Sequence, residues 1–281
     1  MKPGRASQTA VSVAMGRAVA HGRWLIGRFS DPTALTLLPP DARARVEQFH
    51  LEPRPQELRA GLAWGYLSRL SQVMAARTVE IDDAIRGATM PQVVILGAGL
   101  DGRAWRMPEL ANSIVYEVDH PDTQGEKMTR VAGLRQTARE VRFVSVDFAR
   151  DDLNHELDAA GHYAQVATTW VWEGVVMYLT RVQVEATLAV VARRSAPGSR
   201  LIVAYHSPAW MLLFAGLIVR RIGEPLRSVY TARQMRALLD HAGFTVVRDE
   251  GLPAIAAALS PDLQRATRVV KHLRIVTAEK R

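Results

Sequence analysis

The sequence predicts an α/β protein with a doubly wound, mainly parallel sheet behind a helical N-terminal region. Three observations carry this. From Pro91 onward, short apolar runs alternate with helix-like stretches, as in successive strand–helix–strand units. The first run leads into "VVILGAGLDGRAWRM" (93–107), where Gly97, Gly99 and Gly102 spell G-x-G-x-x-G in a strand-to-helix turn. The first 90 residues show helical spacing and no strand.

In chain order, residues 1–90 are expected to form several short helices, a cap or lid, separated by the Pro-rich connections "DPTALTLLPPD" and "LEPRPQEL". Residues 91–281 form the sheet domain. Its strands are expected at Gln92–Leu96, Ser113–Val118, Val141–Val146, Val166–Trp172, Arg200–Tyr205, Phe244–Arg248 and Leu273–Thr277. Helices fit Arg181–Ser195 and Thr231–Ala242, the latter opened by Thr231 as N-cap and closed at Gly243. The last two strands read as an antiparallel edge, because the stretch between them is helical rather than a tight turn.

Bulk properties narrow the function. A chain of 281 residues that is 48% hydrophobic and 23% charged has the composition of a globular protein, not a disordered one. It has no cysteine, which excludes disulfides, thiolate nucleophiles and Cys-based metal sites and suits a reducing cytoplasm. The net charge is +8, yet only four of the 36 basic residues are lysines and the arginines spread along the whole chain. A nucleic-acid binder concentrates its charge in a stripe, so no nucleic-acid partner is expected. Arg17 and His21 interrupt any signal-peptide core. The most apolar run, "AWMLLFAGLIV" at 209–219, has eleven residues against the roughly 20 needed to span a bilayer. It reads as a buried helix or an apolar wall beside a pocket, followed by Arg220 and Arg221.

The turn at Gly97 and Gly99 favours a nucleotide-like ligand. Glu117 lies 20 residues after Gly97 and Asp119 lies 20 after Gly99, where a carboxylate accepts hydrogen bonds from both ribose hydroxyls of an adenosine group. A nicotinamide-dependent oxidoreductase fits the glycines. Against it, "RAWRMPEL" puts bulk and charge where a pyrophosphate needs small residues. S-adenosyl-L-methionine has no phosphate and needs one cationic and one anionic site for its methionine end. Arg77 and Glu173 offer both.

"ARTVEIDDAI", "QVVILGAGLDGRAWRM", "VYEVDHPDTQGEK", "FVSVDFARDDL", "TTWVWEGVVMYLT" and "GEPLRSVYTARQMRALLDHAGF", in this order, resemble the motifs of the leucine carboxyl methyltransferase family, in its bacterial small-molecule branch. "FSDPTALTLLP" (29–39) resembles its N-terminal signature. Gly102 departs from the pattern, where a threonine is usual. The resemblance implies a class I methyltransferase with a seven-stranded Rossmann-like sheet and S-adenosyl-L-methionine as cofactor. It implies that Arg77 pairs with the cofactor carboxylate, and that Gly97 and Gly99 let the backbone pass beneath it. Asp119 would hold the ribose, Asp147 and the Phe148 backbone the adenine, and Glu173 the ammonium. Asp119 alternatively caps the helix that starts at Pro121.

The expected reaction is O-methylation of a carboxylate or hydroxyl on a hydrophobic small metabolite. For a hydroxyl acceptor, His206 is the expected base and Tyr178 and Tyr205 position the substrate. Protein C-terminal carboxyl methylation and a non-catalytic nucleotide-binding module are the other readings; the oligomeric state, monomer or dimer, stays open. The eight histidines lack ligand spacing such as H-E-x-x-H, so no metal is expected. No G-x-S-x-G surrounds the serine of "YHSPAW". Asp101 and Arg103 read as a structural pair or helix cap, and Trp64, Trp105, Trp170, Trp172 and Trp210 as core.

Overall fold

In the computed structural model, which describes residues 7–148, 150–209 and 226–281, the strand Gln92–Leu96 (β1) is buried along its whole length. Val93 and Ile95 face one apolar cluster while Val94 and Leu96 face another, the period-2 alternation of a strand covered on both sides. The remaining strands are β2 (Ile114–Asp119), β3 (Glu140–Ser145), β4 (Thr168–Trp172), β5 (Arg200–His206), β6 (Phe244–Gly251) and β7 (Leu273–Lys280). They form one sheet in the order β3-β2-β1-β4-β5-β7-β6, parallel from β3 to β5. β7 lies antiparallel between β5 and β6.

All seven strands lie where the sequence predicts them, and the differences are at their ends. β6 and β7 run on into polar residues because an antiparallel ladder pairs backbone with backbone: Asp249 opposes Val276 and Glu250 opposes Ile275. β4 starts two residues late. Gln92 Nε2 instead donates to the Tyr163 carbonyl at 2.8 Å, tying that approach to β1.

Among the described residues four helices precede the sheet: α1 (Gln8–Ala20), α2 (Ala34–Leu37), α3 (Pro40–Leu51) and α4 (Leu58–Arg86). α4 departs from the expectation of short helices. It runs unbroken for 29 residues, has no proline, and its second half buries Val73, Met74, Ala76, Val79, Ile81 and Ile85. The expected boundary near residue 90 falls between α4 and β1. One cluster nevertheless joins Ala14, Ala18, Leu37, Val46, Phe49, Ile81 and Ile85 to Val93, Ile95, Val115 and Val171 of the sheet.

The other described helices are α5 (Arg103–Arg106), α6 (Pro121–Val131), α7 (Leu153–Ala159), α8 (Arg181–Arg193), α9 (Ala232–His241), α10 (Leu252–Leu259) and α11 (Pro261–Thr267). Thr231 caps α9 through a full capping box with Gln234, and Gly243 follows it at φ 78°. Trp105, Trp170 and Trp172 are core; Trp64 is partly buried. Trp210, most of the apolar run 209–219, Arg220 and Arg221 lie outside the described residues.

Two predictions follow from this packing. Arg194 Nε donates to His162 Nδ1 at 3.3 Å, and since arginine only donates, Nδ1 must accept and Nε2 carries the proton toward Thr168 Oγ1 at 3.1 Å. Burial and then Arg194 lower the His162 pKa from 6.5 to about 4. Between those values the unfolded chain binds more protons, so stability is present at neutral pH and falls on acidification from 6.5 toward 4. Denaturation at pH 6.5 and 5 is expected to show a loss of about 1.5 kcal/mol that His162→Asn removes; an unchanged slope in that variant refutes the assignment.

The second concerns Gly102, which sits at φ −111°, a conformation open to any residue. A Cβ there would run into the Thr33 side chain, whose hydroxyl donates to Asp31 at 2.7 Å. Gly102→Thr is therefore expected to cost about 1–3 kcal/mol by overpacking, and Thr33→Ala in the same chain to recover part of it. Additive losses in a double-mutant cycle would contradict this contact.

Candidate functional site

The sheet reverses its winding between β1 and β4, and the chain leaves both strands at the same edge, where α/β sheets bind ligands. After β1 the turn takes Gly97 at φ 70° and Gly99 at φ 49°, left-handed values that favour glycine. The Gly97 and Ala98 N–H groups donate to the Val118 carbonyl at 2.7 and 3.0 Å, which fixes the turn against β2. A Cβ on Gly97 would strike Val175. α5 behind the turn has only four residues, too few to present a long helix's dipole to a pyrophosphate.

The ends of the other strands converge on this turn. Asp119, last in β2, accepts from the Gly99 N–H and, at 2.6 Å, from the His120 N–H. His120, not Asp119, caps α6. Burial raises the Asp119 pKa, against those two backbone donors. Glu117 points elsewhere, fully buried against Lys127 at 2.6 Å. Asp147 and Phe148 follow β3, Glu173 follows β4, and Arg77 comes from α4. With Gly97, Gly99 and Asp119 they line one cleft of about 350 Å³. Seven of the residues expected to hold a cofactor thus meet in one place.

Glu173 is an ion-pair partner of Arg77 at 2.7 Å and of Arg103 at 2.8 Å. Burial pushes the Glu173 pKa up, but Arg77 and Arg103 outweigh it and the net shift is downward. Burial lowers Arg77, with Glu173 opposing; a guanidinium stays charged in a protein even so. Tyr178 also lines the cleft, with its hydroxyl 3.4 Å from Thr9 Oγ1.

Tyr205 and His206 are not among the residues that line it. The Tyr205 hydroxyl lies 2.9–3.0 Å from both Asp249 carboxylate oxygens and accepts from Arg274 Nε at 3.0 Å. His206 stacks on His272 with ring centroids 5.1 Å apart. Burial, His272 and Arg77 push its pKa down to about 3, which leaves it neutral and a weak base at pH 7. The base expected at His206 is therefore absent from the described cleft.

Sequence reasoning missed the charges behind the cleft. Arg17 pairs with Asp31 at 2.9 Å, Asp31 lies 3.6 Å from Arg106, and Arg106 pairs with Asp82 at 2.7 Å. Asp82 pairs with Arg103 at 2.8 Å, and Arg103 meets both Asp101 and Glu173. The Asp101–Arg103 pairing was legible, although Gly102 and not Asp101 is the N-cap of α5; Arg17, Asp31 and Asp82, from distant segments, carried no local signal. Among the described residues no cluster of three or more His, Asp or Glu is placed to hold a metal.

A cation and an anion side by side suit the two ends of an amino acid. A carboxylate beside a tight glycine turn suits the hydroxyls of a ribose. Glycine at the floor lets a ligand approach the backbone closely.

Residues 10–192 match the family model described as leucine carboxyl methyltransferase. A Mycobacterium sp. (strain JLS) protein named for S-adenosyl-L-methionine-dependent methyltransferase activity is 36% identical over 72% of this chain and 66% of its own length. A Mycolicibacterium gilvum protein of the same name is 34% identical over 86% of this chain and 78% of its own. The chain spans between about half and two thirds of the length of several curated relatives it matches. Geranyl diphosphate C-methyltransferase from Streptomyces coelicolor, solved with S-adenosyl-L-homocysteine, superposes with a TM-score of 0.54 at 14% identity, covering 82% of this chain and 83% of that one. That likeness is one of fold, the class I methyltransferase fold. By its match over residues 10–192, the chain belongs to the leucine carboxyl methyltransferase family.

Proposed function

We propose that this chain is an S-adenosyl-L-methionine-dependent methyltransferase that methylates an oxygen of a hydrophobic small metabolite in the cytoplasm. The observation that carries the reading is the convergence of Arg77, Glu173 and Asp119 on one cleft floored by Gly97 and Gly99. When bound, the cofactor supplies an electrophilic methyl group on a sulfonium, whose leaving group is neutral.

The chain's own residues then have to bind, orient and exclude water. Arg77 grips the cofactor carboxylate and Glu173 its ammonium. Asp119, already fixed by the Gly99 and His120 N–H groups, accepts from the ribose hydroxyls. Asp147 and Phe148 face the adenine end, and Tyr178 faces the acceptor side. A nicotinamide reading is disfavoured because the helix behind the glycine turn has only four residues, too few to hold a pyrophosphate by its dipole.

The described lining of the cleft supports one acceptor class over the other. His120 is the one histidine among the described lining residues, and it caps α6. A hydroxyl acceptor needs a base, whereas a carboxylate is already anionic, so a carboxylate is favoured. Arg227 at the exposed rim suits its approach. The volume of about 350 Å³ is that of a small-molecule site. No described helix is long and apolar enough to cross a membrane.

Calorimetric titration is expected to show binding of S-adenosyl-L-methionine and S-adenosyl-L-homocysteine and none of NAD(P)H; the reverse pattern would remove the assignment. Arg77→Lys keeps the charge but loses the bidentate fork, and is expected to weaken cofactor binding about tenfold or more. Wild-type affinity in that variant would return Arg77 to a structural role. Asp119→Asn should cost about 1.5–3 kcal/mol of cofactor binding, the scale of a hydrogen bond to a charged group. For the acceptor, labelled cofactor is supplied to a lysate separated into small-molecule, protein and RNA fractions. Label confined to protein would favour carboxyl-terminal methylation instead, and would leave the methyltransferase assignment standing.

A further inference from the structure

Glu173 is held by two guanidiniums, and the two are anchored differently. Arg103 is 1% exposed, does not line the cleft, and also pairs with Asp82 at 2.8 Å and with Asp101. Its own N–H donates to Asp101 Oδ1 at 2.7 Å. Three carboxylates and a backbone contact fix it in place. Arg77 lines the cleft, and among the described residues its ion-pair partner is Glu173 alone. Neither Arg77 Nε nor Glu173 Oε1 makes an aligned hydrogen bond, although they are 2.7 Å apart. One arginine is fastened, and the other has a single partner to exchange.

We propose that the Arg77–Glu173 pair is the protein's own substitute for the amino-acid end of the cofactor. Binding exchanges it for the ligand's carboxylate and ammonium, while Arg103, a positioning residue, keeps Glu173 in place. The proposal rests on the methyltransferase reading above and adds to it a rule for what opens the site.

The rule follows from the cost of an uncompensated buried charge. Pulling a buried ion pair apart leaves two charges in a low dielectric with nothing to replace the lost partner. A ligand carrying both signs replaces both partners in one event. A ligand with one sign satisfies one residue and leaves the other short of the partner it had, and a ligand with neither leaves the pair closed. The site therefore selects a zwitterion as a unit.

Arg103 is needed at the moment Arg77 turns away. The charged groups acting on Glu173 are Arg77 and Arg17 from the N-terminal helices, and Arg103 and Asp101 from the segment after β1. Burial and Asp101 favour its protonated form, and the arginines oppose them. Without Arg103, the opened Glu173 would take up a proton and lose its attraction for an ammonium group.

The test compares four adenosine ligands on the wild-type chain: S-adenosyl-L-homocysteine, its decarboxylated analogue, its deaminated analogue and 5′-methylthioadenosine. Loss of either charge is expected to lower affinity about 10- to 100-fold, the scale of one charged hydrogen bond, and loss of both to cost no more than loss of one. Independent contacts would instead give losses that multiply, and that result overturns the exchange. For the wild type, affinity for S-adenosyl-L-homocysteine should stay level on acidification to about pH 5.5, because Arg103 holds Glu173 ionised. A fall beginning near neutrality that 5′-methylthioadenosine, which meets Asp119 through the same ribose, does not share overturns the role of Arg103.

The variant Asp82→Asn/Arg103→Gln removes one charge of each sign and so keeps the buried balance, with Asp82→Asn alone as its control. Relative to that control, it is expected to bind S-adenosyl-L-homocysteine about tenfold more weakly, increasingly so at lower pH, and 5′-methylthioadenosine within about twofold. Equal losses for both ligands would make Arg103 merely structural. If the wild type binds none of the four, the cofactor reading itself falls, an outcome distinct from multiplicative losses.

Discussion

Four arginines and four carboxylates, none with a side chain more than 9% exposed, form one connected set from Arg17 through Asp31, Arg106, Asp82, Arg103 and Asp101 to Glu173 and Arg77. The signs balance, which is the condition for burying so many charges. Removing a member unbalances the set and leaves a buried charge short of a partner, which is costly in a low dielectric. The set also joins distant parts of the chain: α1, its following loop and α4 on one side, and the segments after β1 and β4 on the other. The shared apolar core supplies the non-directional part of that attachment. The charges supply its register, since each guanidinium has few positions from which it reaches its carboxylates.

The glycine turn depends on the same attachment. Gly97 and Gly99 adopt left-handed backbone because the chain must reverse sharply at the end of β1. Gly102 needs no such conformation; it makes room for Thr33 from the N-terminal region. Asp31 accepts from the Thr33 hydroxyl and pairs with Arg17, so the third glycine of the motif belongs to the docking of the cap. A pattern that resembles a dinucleotide fingerprint in one dimension is, in three, a turn and a packing contact side by side.

That contrast marks how far the sequence carries. Strand positions were legible because a strand covered on both faces is a short unbroken apolar run, as β1 is. The cleft-lining positions were legible because strand order puts the C-terminal ends of the parallel strands at one edge, which brings Asp119, Asp147 and Glu173 together. The buried charges were not, because nothing in local spacing relates Asp31 to Arg106 or Asp82 to Arg103. The length of α4 was missed for a different reason: Gly61 and Gly65 interrupt its first half, whose apolar residues point both to the core (Trp64, Leu67) and to solvent (Leu58, Leu62, Tyr66), and tertiary packing of its second half sustains the helix. Tyr205 and His206 illustrate the opposite error. They sit at the end of β5, a position that often faces a ligand, but Asp249, Arg274 and His272 engage them away from the described cleft.

Within the same chain, a second buried carboxylate shows why the site uses arginine. Glu117 is more deeply buried than Glu173, its side chain 1% exposed against 9%, and has one lysine partner, Lys127 at 2.6 Å. Burial prevails there, and the Glu117 pKa rises to about 7. Glu173 faces two guanidiniums, and its pKa falls instead. An ammonium is a single point of charge, whereas one guanidinium here serves three carboxylates through a rigid planar fork. On the proposed reading, in which Glu173 meets an ammonium group, its carboxylate has to stay ionised, and Glu117's surroundings would not allow that. The two guanidiniums keep Glu173 charged where burial alone would neutralise it.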